Sequence, residues 1–361
     1  MTEEHDLIRD SARNYLRDNY DFAARQALAD SGTAIDTAHW QAFADMGWTA
    51  LTLPEKLGGL DLGMTAAASL AELWGYYLVR EPLLESAVLA GSVVASAGSA
   101  LGEHLAAGII EGSVQATLPL AGSPTLTVGE DSHGKTVTGQ LRFVPSGGSA
   151  THLLAEARLA DRPCWVAFEL SAPGIERHSY MGHDGRVGAH ITVNTSLADT
   201  AILSSGPAAV RARDNLLDLA LLLAANEGVG LMQGALDLTV DYTKQREQFG
   251  QPLAGFQALQ HRMSDMLIQT ELARSLAQAA CTAFDSGVSD AKRLILAAKA
   301  KVDAAARTVT QEAIQLHGGI ATTNEYQVGH FFKRATLLES WPLHRDTVIE
   351  HLIALRPTDP N

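Results

Sequence analysis

A short polar stretch between two helix-like segments carries side chains suited to a charged, ring-bearing ligand. Arg246, Gln248 and Phe249 supply a guanidinium, an amide and an aromatic ring within four positions. Gly250 and Pro252 follow directly, as is typical of a helix end, so these side chains are predicted to lie at a helix break. A guanidinium fork binds phosphate oxygens in a bidentate manner. Taken alone, the stretch has a plainer interpretation: a solvated arginine beside a helix-terminating phenylalanine.

A second break with similar chemistry occurs later, where Gln315 is followed by the pair Gly318 and Gly319. Because glycine has no Cβ, its backbone can approach a ligand closely. Two polar, glycine-containing breaks in one chain favour a binding site over two unrelated helix ends.

The charge balance excludes one class of partner. Acidic residues outnumber basic ones by 41 to 27, the net charge is −14, and the sequence has no Lys/Arg-rich tract. Nucleic acid is therefore not an expected partner. The cysteines, Cys164 and Cys281, are far apart and lack metal-like spacing, and we expect neither a disulfide framework nor a metal site. The charged N-terminus has no features of a signal peptide, and a cytoplasmic location is expected.

The most apolar run, residues 219–236, is about as long as a membrane-spanning helix. It contains Asn226, Glu227 and Gln233 together with three glycines. A membrane helix rarely tolerates this mixture, so the run is interpreted as a buried helix and no membrane partner is expected.

Hydrophobic periodicity divides the chain into three parts. Residues 1–113 have apolar positions at helical spacing, and residues 114–204 change to short alternating runs between turn residues. Residues 205–361 return to helical spacing. The longest helical patterns are 208–243, 251–286 and 288–316. The predicted fold class is α+β: an N-terminal α-helical domain, a middle β-barrel or sandwich domain and a C-terminal four-helix bundle.

This order of domains, together with the two breaks, resembles the acyl-CoA dehydrogenase family along the whole chain. The specific signals lie between residues 228 and 334: GVGLMQGALDLTVDYTKQREQFGQPLAGFQALQHRMSDM, QEAIQLHGGIATTNEY and FFKRA. The segment MGWTALTLPEKLGGLDLG is also similar to the family's N-terminal loop near the acyl pocket and flavin. The resemblance implies the family's fold and its activity, the FAD-dependent α,β-dehydrogenation of an acyl-CoA thioester.

The resemblance also assigns both breaks to FAD. In the family, the arginine and aromatic residue of the first motif reach FAD across a subunit interface, and the arginine contacts the pyrophosphate. The glutamine and the glycine pair of the second motif contact the ADP part. Carried over, the cofactor-binding residues are Arg246, Gln248, Phe249, Leu253, Phe256, Gln315, Gly318 and Gly319. A cofactor bound between protomers implies an oligomer.

Two flavin-facing segments of the middle domain depart from the family pattern. Members have a Glu-Pro-Gly-Ala-Gly-Ser-Asp-like loop where this chain has LPLAGSP. Only Pro119, Gly122 and Ser123 resemble the residues of that loop. Members have a Trp and a Ser or Thr before a strand where this chain has RFVPSGGSATH, residues 142–152. The isoalloxazine side of the site is therefore expected to be eroded.

The family's catalytic base is missing from both of its usual positions. A carboxylate there removes the α-proton while the flavin takes the β-hydride, and apolar surroundings raise its pKa toward that task. Nine residues after Arg334 stands Leu343, and ten residues before Gly230 stands Ala220, with Leu221 beside it in place of a family arginine.

Three other carboxylates are candidates for the base: Glu227, Asp218 and Glu339. Glu227 lies in the apolar helix, Asp218 is close to Ala220, and Glu339 falls four residues short of the loop position. For each of them, a structural carboxylate is the plainer interpretation.

The chain keeps the two FAD motifs but lacks the base and the flavin-facing segments. In this it resembles the short, divergent chain of heteromeric acyl-CoA dehydrogenases from actinobacterial steroid side-chain degradation. In those assemblies one chain carries the base and the other completes the FAD site. The expected partners are a second acyl-CoA dehydrogenase-like subunit, or another copy of this chain, in a dimer of dimers. A bulky, steroid-like acyl-CoA and an electron-transfer-flavoprotein-like acceptor are expected as well.

Two alternatives stay open. The chain can be a self-sufficient homo-oligomeric dehydrogenase with a relocated carboxylate base, or a non-redox relative that binds a thioester or a polycyclic ligand.

Overall fold

The computed structural model describes residues 3–120, 126–132 and 134–355. Along the chain, a helical region is followed by a β-region and then by a second helical region. The fold class predicted from the sequence is confirmed.

The first region contains helices joined by turns and by one longer loop, residues 46–62. Their bounds are α1 Glu3–Asn19, α2 Phe22–Asp30, α3 Thr37–Asp45, α4 Gly63–Tyr76, α5 Gly91–Ala97 and α6 Ala100–Glu111, with a π-helical segment, Leu84–Ala90, leading into α5. Asp36 begins α3, because its side chain accepts hydrogen bonds from the backbone N–H groups of Ala38 and His39. Gly112 ends α6 with a φ of 80°.

The middle region forms one sheet. Its strands are β1 Ala116–Thr117, β2 Leu126–Asp131, β3 Gly134–Val144, β4 His152–Leu159, β5 Arg162–Glu169, β6 Ile175–Met181, β7 Val187–Leu197 and β8 Ile202–Ser205. The order is β6-β7-β3-β2-β4-β5-β8, and β1 pairs with β4. The strands β1 and β2 run parallel to β4, and the other pairs are antiparallel. One face of the sheet buries an apolar cluster that includes Val137, Leu153 and Ile191.

The last region contains long helices. Their bounds are α7 Pro207–Gln245, α8 Gln257–Asp285, α9 Ala291–His317, α10 Val328–Ser340 and α11 Arg345–Ala354, and two short strands, β9 Glu247–Gln248 and β10 Gln251–Pro252, separate α7 from α8. The helix α7 is long and apolar enough to cross a membrane, but 94% of its most apolar window is buried within the protein. A buried position is what the interpretation of residues 219–236 predicted.

Contacts group the chain into two compact units. One combines the described parts of Met1–Gln26, Met64–Val79 and Ala220–Asn361, and the other combines Ala27–Gly63 with Arg80–Leu219. The domain boundaries predicted after residues 113 and 204 stay predictions, since this grouping follows space rather than chain order.

Within the first unit, glycines bring α4 and α7 into close contact. A Cβ on Gly75 would collide with the carbonyl of Glu227, and a Cβ on Gly230 would collide with the carbonyl of Glu72. Apolar side chains of α7, α8, α9 and α10, including Met232, Met266, Val309 and Phe331, form the core of this unit.

Candidate cofactor site

The first motif forms a β-hairpin rather than the simple helix break that the sequence predicted. The helix α7 ends at Gln245, β9 pairs with β10, and α8 begins only at Gln257, so the expected helix start at residue 251 is wrong. Phe249 and Gly250 form the two-residue turn with φ values of 56° and 83°. Positive φ at both central residues is the geometry of a type I′ hairpin, which explains why the helix cannot resume sooner.

Phe249 adopts a strained and exposed conformation. A positive φ costs an aromatic residue free energy, and the side chain is 90% exposed. Its ring and the ring of Phe256 meet edge to face, at a centroid distance of 6.2 Å. Phe256 and Leu253 are half-buried, and Gln248 is exposed and donates to the neighbouring carbonyl of Glu247. An exposed ring on a strained turn is typical of a surface that binds another molecule.

Arg246 is exposed at the base of the same hairpin. Its carbonyl accepts a hydrogen bond of 2.8 Å from the backbone N–H of Leu253, which closes the hairpin. Its guanidinium has no ion pair with any residue that the structure describes. The charge is therefore available to an anionic ligand or partner.

The second motif lies at the C-terminal end of α9. Gln315 is exposed, and the helix ends at His317. Gly318 adopts a φ of 69° and a ψ of −145°, a combination that strongly favours glycine. A Cβ on Gly318 or Gly319 would meet open space, since no other heavy atom of the described chain lies within 4 Å.

Aromatic stacking brings the two motifs together. The rings of Tyr242 and His317 stack at a centroid distance of 4.4 Å with an interplanar angle of 29°. The hydroxyl of Tyr242 donates to the carbonyl oxygen of His317 over 3.3 Å. Tyr326 contacts both rings, at 6.3 Å and 5.3 Å. Sequence reasoning missed this cluster, although the aromatic residue four positions before Arg246 and the histidine before the glycine pair were visible signals.

These residues fit the ADP side of FAD. An available guanidinium, an exposed ring and a glycine pair that opens into free space supply a donor, a stacking surface and an unobstructed backbone. These are contacts suited to a pyrophosphate joined to a ring system.

Glu227, the first candidate base, is held in an ion pair. It is 2% exposed, and its two oxygens each lie 2.8 Å from the Arg334 guanidinium, at Nε and Nη2. This pair agrees with the plainer interpretation of Glu227 as a structural carboxylate, and the arginine lies in the same chain. The signal was missed because 107 residues separate the pair.

The other two candidates differ in their surroundings. Glu339 is buried, with Arg307 at 2.8 Å and Arg345 at 4.0 Å. Asp218 is half-buried on α7, in the second of the two units. Ala220 and Leu221 are fully buried, and Leu343 is half-buried, so none of the three offers a functional group to a substrate.

The segment expected to be eroded on the flavin side keeps an aromatic residue. Phe143 is 70% exposed and has a φ of 56°, and its ring contacts His190 at 4.9 Å and Tyr180 at 6.2 Å. Pro119 is buried just before the undescribed residues, while Gly122 and Ser123 lie outside the described part of the chain. In the described part, no cluster of three or more His, Cys, Asp or Glu side chains has the geometry of a metal site.

Comparison with known proteins identifies the family. The model of the acyl-CoA dehydrogenase N-terminal domain matches residues 2–101, and the model of the C-terminal domain matches residues 212–342. Acyl-CoA dehydrogenase IpdE2 of Mycolicibacterium smegmatis is 30% identical over 337 residues, which is 93% of each chain. The chain belongs to the acyl-CoA dehydrogenase family.

Acyl-CoA dehydrogenases are oxidoreductases that act on CH–CH bonds, and the family generally binds FAD. Among solved structures, a steroid acyl-CoA dehydrogenase described as the Tcur3481-Tcur3483 G363A variant is 29% identical, with a TM-score of 0.86 over 98% of both chains. The ChsE4-ChsE5 complex of Mycobacterium tuberculosis shares the fold, with a TM-score of 0.89 over 99% of both chains and 21% identity. The resemblance to heteromeric steroid enzymes stated from the motifs is thereby confirmed.

Proposed function

We propose that this chain is a subunit of a heteromeric, FAD-dependent acyl-CoA dehydrogenase. In this proposal it completes the ADP side of the FAD site, and a second acyl-CoA dehydrogenase-like subunit in a dimer of dimers supplies the catalytic base. The substrate is a bulky, steroid-like acyl-CoA, the electron acceptor resembles an electron-transfer flavoprotein, and the assembly is cytoplasmic.

The observation that carries the proposal is the contrast between the two halves of the expected site. Arg246 and Phe249 are exposed and ready for a ligand, whereas the base positions hold Ala220 and Leu343. Of the replacement carboxylates, Glu227 and Glu339 are both engaged by arginines. The similarity to a paired steroid acyl-CoA dehydrogenase supports the heteromeric form and the bulky substrate.

When bound, FAD supplies the hydride acceptor of the reaction. The residues of this chain bind and orient the far end of the cofactor. Arg246 neutralises pyrophosphate charge with a planar donor fork. Gly318 and Gly319 let the chain approach the ADP part without side-chain obstruction, and Phe249 offers a ring face.

The test is a visible spectrum of the chain purified alone and after co-expression with an acyl-CoA dehydrogenase-like chain encoded near its gene. We expect the flavin absorbance only in the co-purified assembly, together with oxidation of acyl-CoA. Arg246→Ala is expected to weaken FAD binding by at least about tenfold, the loss typical of a charged hydrogen bond. The matched control is Arg162→Ala, at an exposed arginine of β5.

Two results contradict the proposal in different ways. Stoichiometric FAD and rapid acyl-CoA oxidation by the chain alone would instead establish a self-sufficient enzyme. An assembly that stays colourless with excess FAD would establish a non-redox relative.

A further inference from the structure

Tyr242 connects the two halves of the proposed FAD half-site. It lies one helical turn before Arg246, whose backbone N–H donates to its carbonyl over 2.8 Å. Its hydroxyl donates to the carbonyl of His317, the last residue of α9 before Gly318. A displacement of Tyr242 therefore changes the distance between the arginine and the glycine pair.

The peptide between His317 and Gly318 is held at both of its polar ends. Its carbonyl accepts from Tyr242, and its N–H, on Gly318, donates to the carbonyl of Ile314. These two bonds fix the plane of the peptide that leads into the glycine pair. Because Gly318 has no Cβ to restrict its rotation, outside contacts must set that plane.

The ring of His317 is fixed as firmly as its backbone. The side chain is 4% exposed, and its Nδ1 lies 2.7 Å from the carbonyl oxygen of Ala313. Since a carbonyl only accepts, the proton of the neutral ring resides on Nδ1. The Tyr242 ring packs against a partner that does not rotate.

We propose that Tyr242 is a positioning residue of the FAD site. Its ring and hydroxyl keep the Gly318–Gly319 backbone aligned with the Arg246 guanidinium, so that both motifs engage one ligand. This inference rests on the proposed function, which assigns both motifs to FAD.

The test compares Tyr242→Phe with Tyr326→Phe in the co-purified assembly. The first change removes only the hydroxyl that bonds His317, and the second removes a hydroxyl of the same aromatic cluster that forms no hydrogen bond with the described residues. FAD dissociation constants come from flavin fluorescence, and hydrogen exchange of residues 318–322 is followed without FAD. For Tyr242→Phe we expect about fivefold weaker FAD binding, the factor that one neutral hydrogen bond is worth, and faster exchange at 318–322. Tyr326→Phe is expected to change neither.

The outcomes separate the positioning role from general stability and from the proposed function. A purely structural role would accelerate exchange throughout α9 while leaving FAD affinity unchanged, and that result would overturn the inference. If Arg246→Ala weakens FAD binding and Tyr242→Phe does not, the inference fails while the proposed function stands. If neither change affects FAD, the proposed function itself fails.

Discussion

Both carboxylate oxygens of Glu227 lie 2.8 Å from the guanidinium of Arg334, and the two side chains are 2% and 12% exposed. A bidentate pair in such surroundings satisfies two charges that would each be costly to bury alone. The pair joins α7 to α10 within one compact unit. Its geometry is that of a structural ion pair, which agrees with the plainer interpretation of Glu227 as a structural carboxylate.

Glu227→Gln is expected to destabilise the chain by about 3–5 kcal/mol, because it removes the charge of a buried carboxylate whose two oxygens both bond the Arg334 guanidinium. Chemical denaturation followed by circular dichroism measures this loss. In the double variant Glu227→Gln, Arg334→Met, part of the stability should return, since the guanidinium that has lost the Glu227 charge is removed as well. Asp290→Asn, in an exposed pair with Arg293, is the control and should have no measurable effect. A stable Glu227→Gln protein that has lost only its turnover would instead identify Glu227 as the base.

Both cysteines are expected to be unreactive in the native protein. Burial raises the pKa of the Cys281 thiol to about 12, against a smaller lowering effect of the hydrogen bond from Asn226. Burial also raises the pKa of Cys164, which is fully enclosed. Since the thiolate is the reactive form, Ellman's reagent should find no thiol until denaturant is added, and then both. Rapid modification of one thiol in the native state would show that its helix or strand opens readily.

The stability contributed by His317 should depend on pH. Burial lowers the pKa of its ring below the usual value of 6.5, against the raising effect of the Ala313 carbonyl. The unfolded chain therefore binds this proton at a higher pH than the folded chain. The resulting stability is present above pH 6.5 and is lost as the pH falls through the folded pKa. His317→Asn lacks this pH-dependent contribution. The difference in unfolding free energy between the wild type and this variant should therefore shrink as the pH is lowered below 6.5.

The quantity to measure is the difference in the free energy of unfolding between the wild type and His317→Asn. The reason is that the titration of Asp303 changes stability with pH in the opposite direction. Burial raises its pKa to about 6, against the lowering effect of Lys299, so its contribution is lost as the pH rises through 6. This term is present in both proteins and cancels in the difference. His178→Asn, at an exposed histidine, is the control. A difference between wild type and His317→Asn that does not change with pH would contradict the lowered pKa.

Sequence patterns predicted the elements in which buried residues recur at regular spacing. They did not predict features that depend on residues far away in the sequence. The helices α7 and α9 were located to within a few residues, because their apolar faces repeat along the helix. The edge strand β6 gives no such signal, since most of its side chains are exposed and no alternation of burial marks it. The strand β3 is longer than the short runs that the pattern indicated, since it continues through Gly139 to Val144.

The candidate site shows the same division. The motif residues at 246–249 and 315–319 were singled out from local composition, and their role in FAD binding stays a prediction. The hairpin that precedes α8 depends on two successive positive φ values, which composition alone did not reveal. The pairing of Glu227 with Arg334 and the stacking of Tyr242 on His317 join residues far apart in sequence. No periodicity within one segment carries information about such contacts.

Replacing each glycine of the second motif by alanine should separate a folding requirement from a binding requirement. The backbone conformation requires glycine at position 318, because a φ of 69° with a ψ of −145° is strained for a residue with a side chain. Gly318→Ala is therefore expected to cost about 1–3 kcal/mol of stability. Nothing in the described chain requires glycine at position 319, since its φ is not positive and an added Cβ would meet no atom within 4 Å.

Gly319→Ala should accordingly leave the unfolding curve unchanged and reduce FAD affinity in the co-purified assembly, because the added methyl group occupies space that the ligand needs. Chemical denaturation and flavin fluorescence measure the two effects on the same preparation. Gly287→Ala is the matched control for Gly318→Ala, since Gly287 also has a positive φ and no described atom within 4 Å of an added methyl group, but lies after α8 and outside both motifs. If Gly319→Ala binds FAD as tightly as the wild type, the glycine pair does not face the cofactor, and the ADP side of the site must be assigned to other residues.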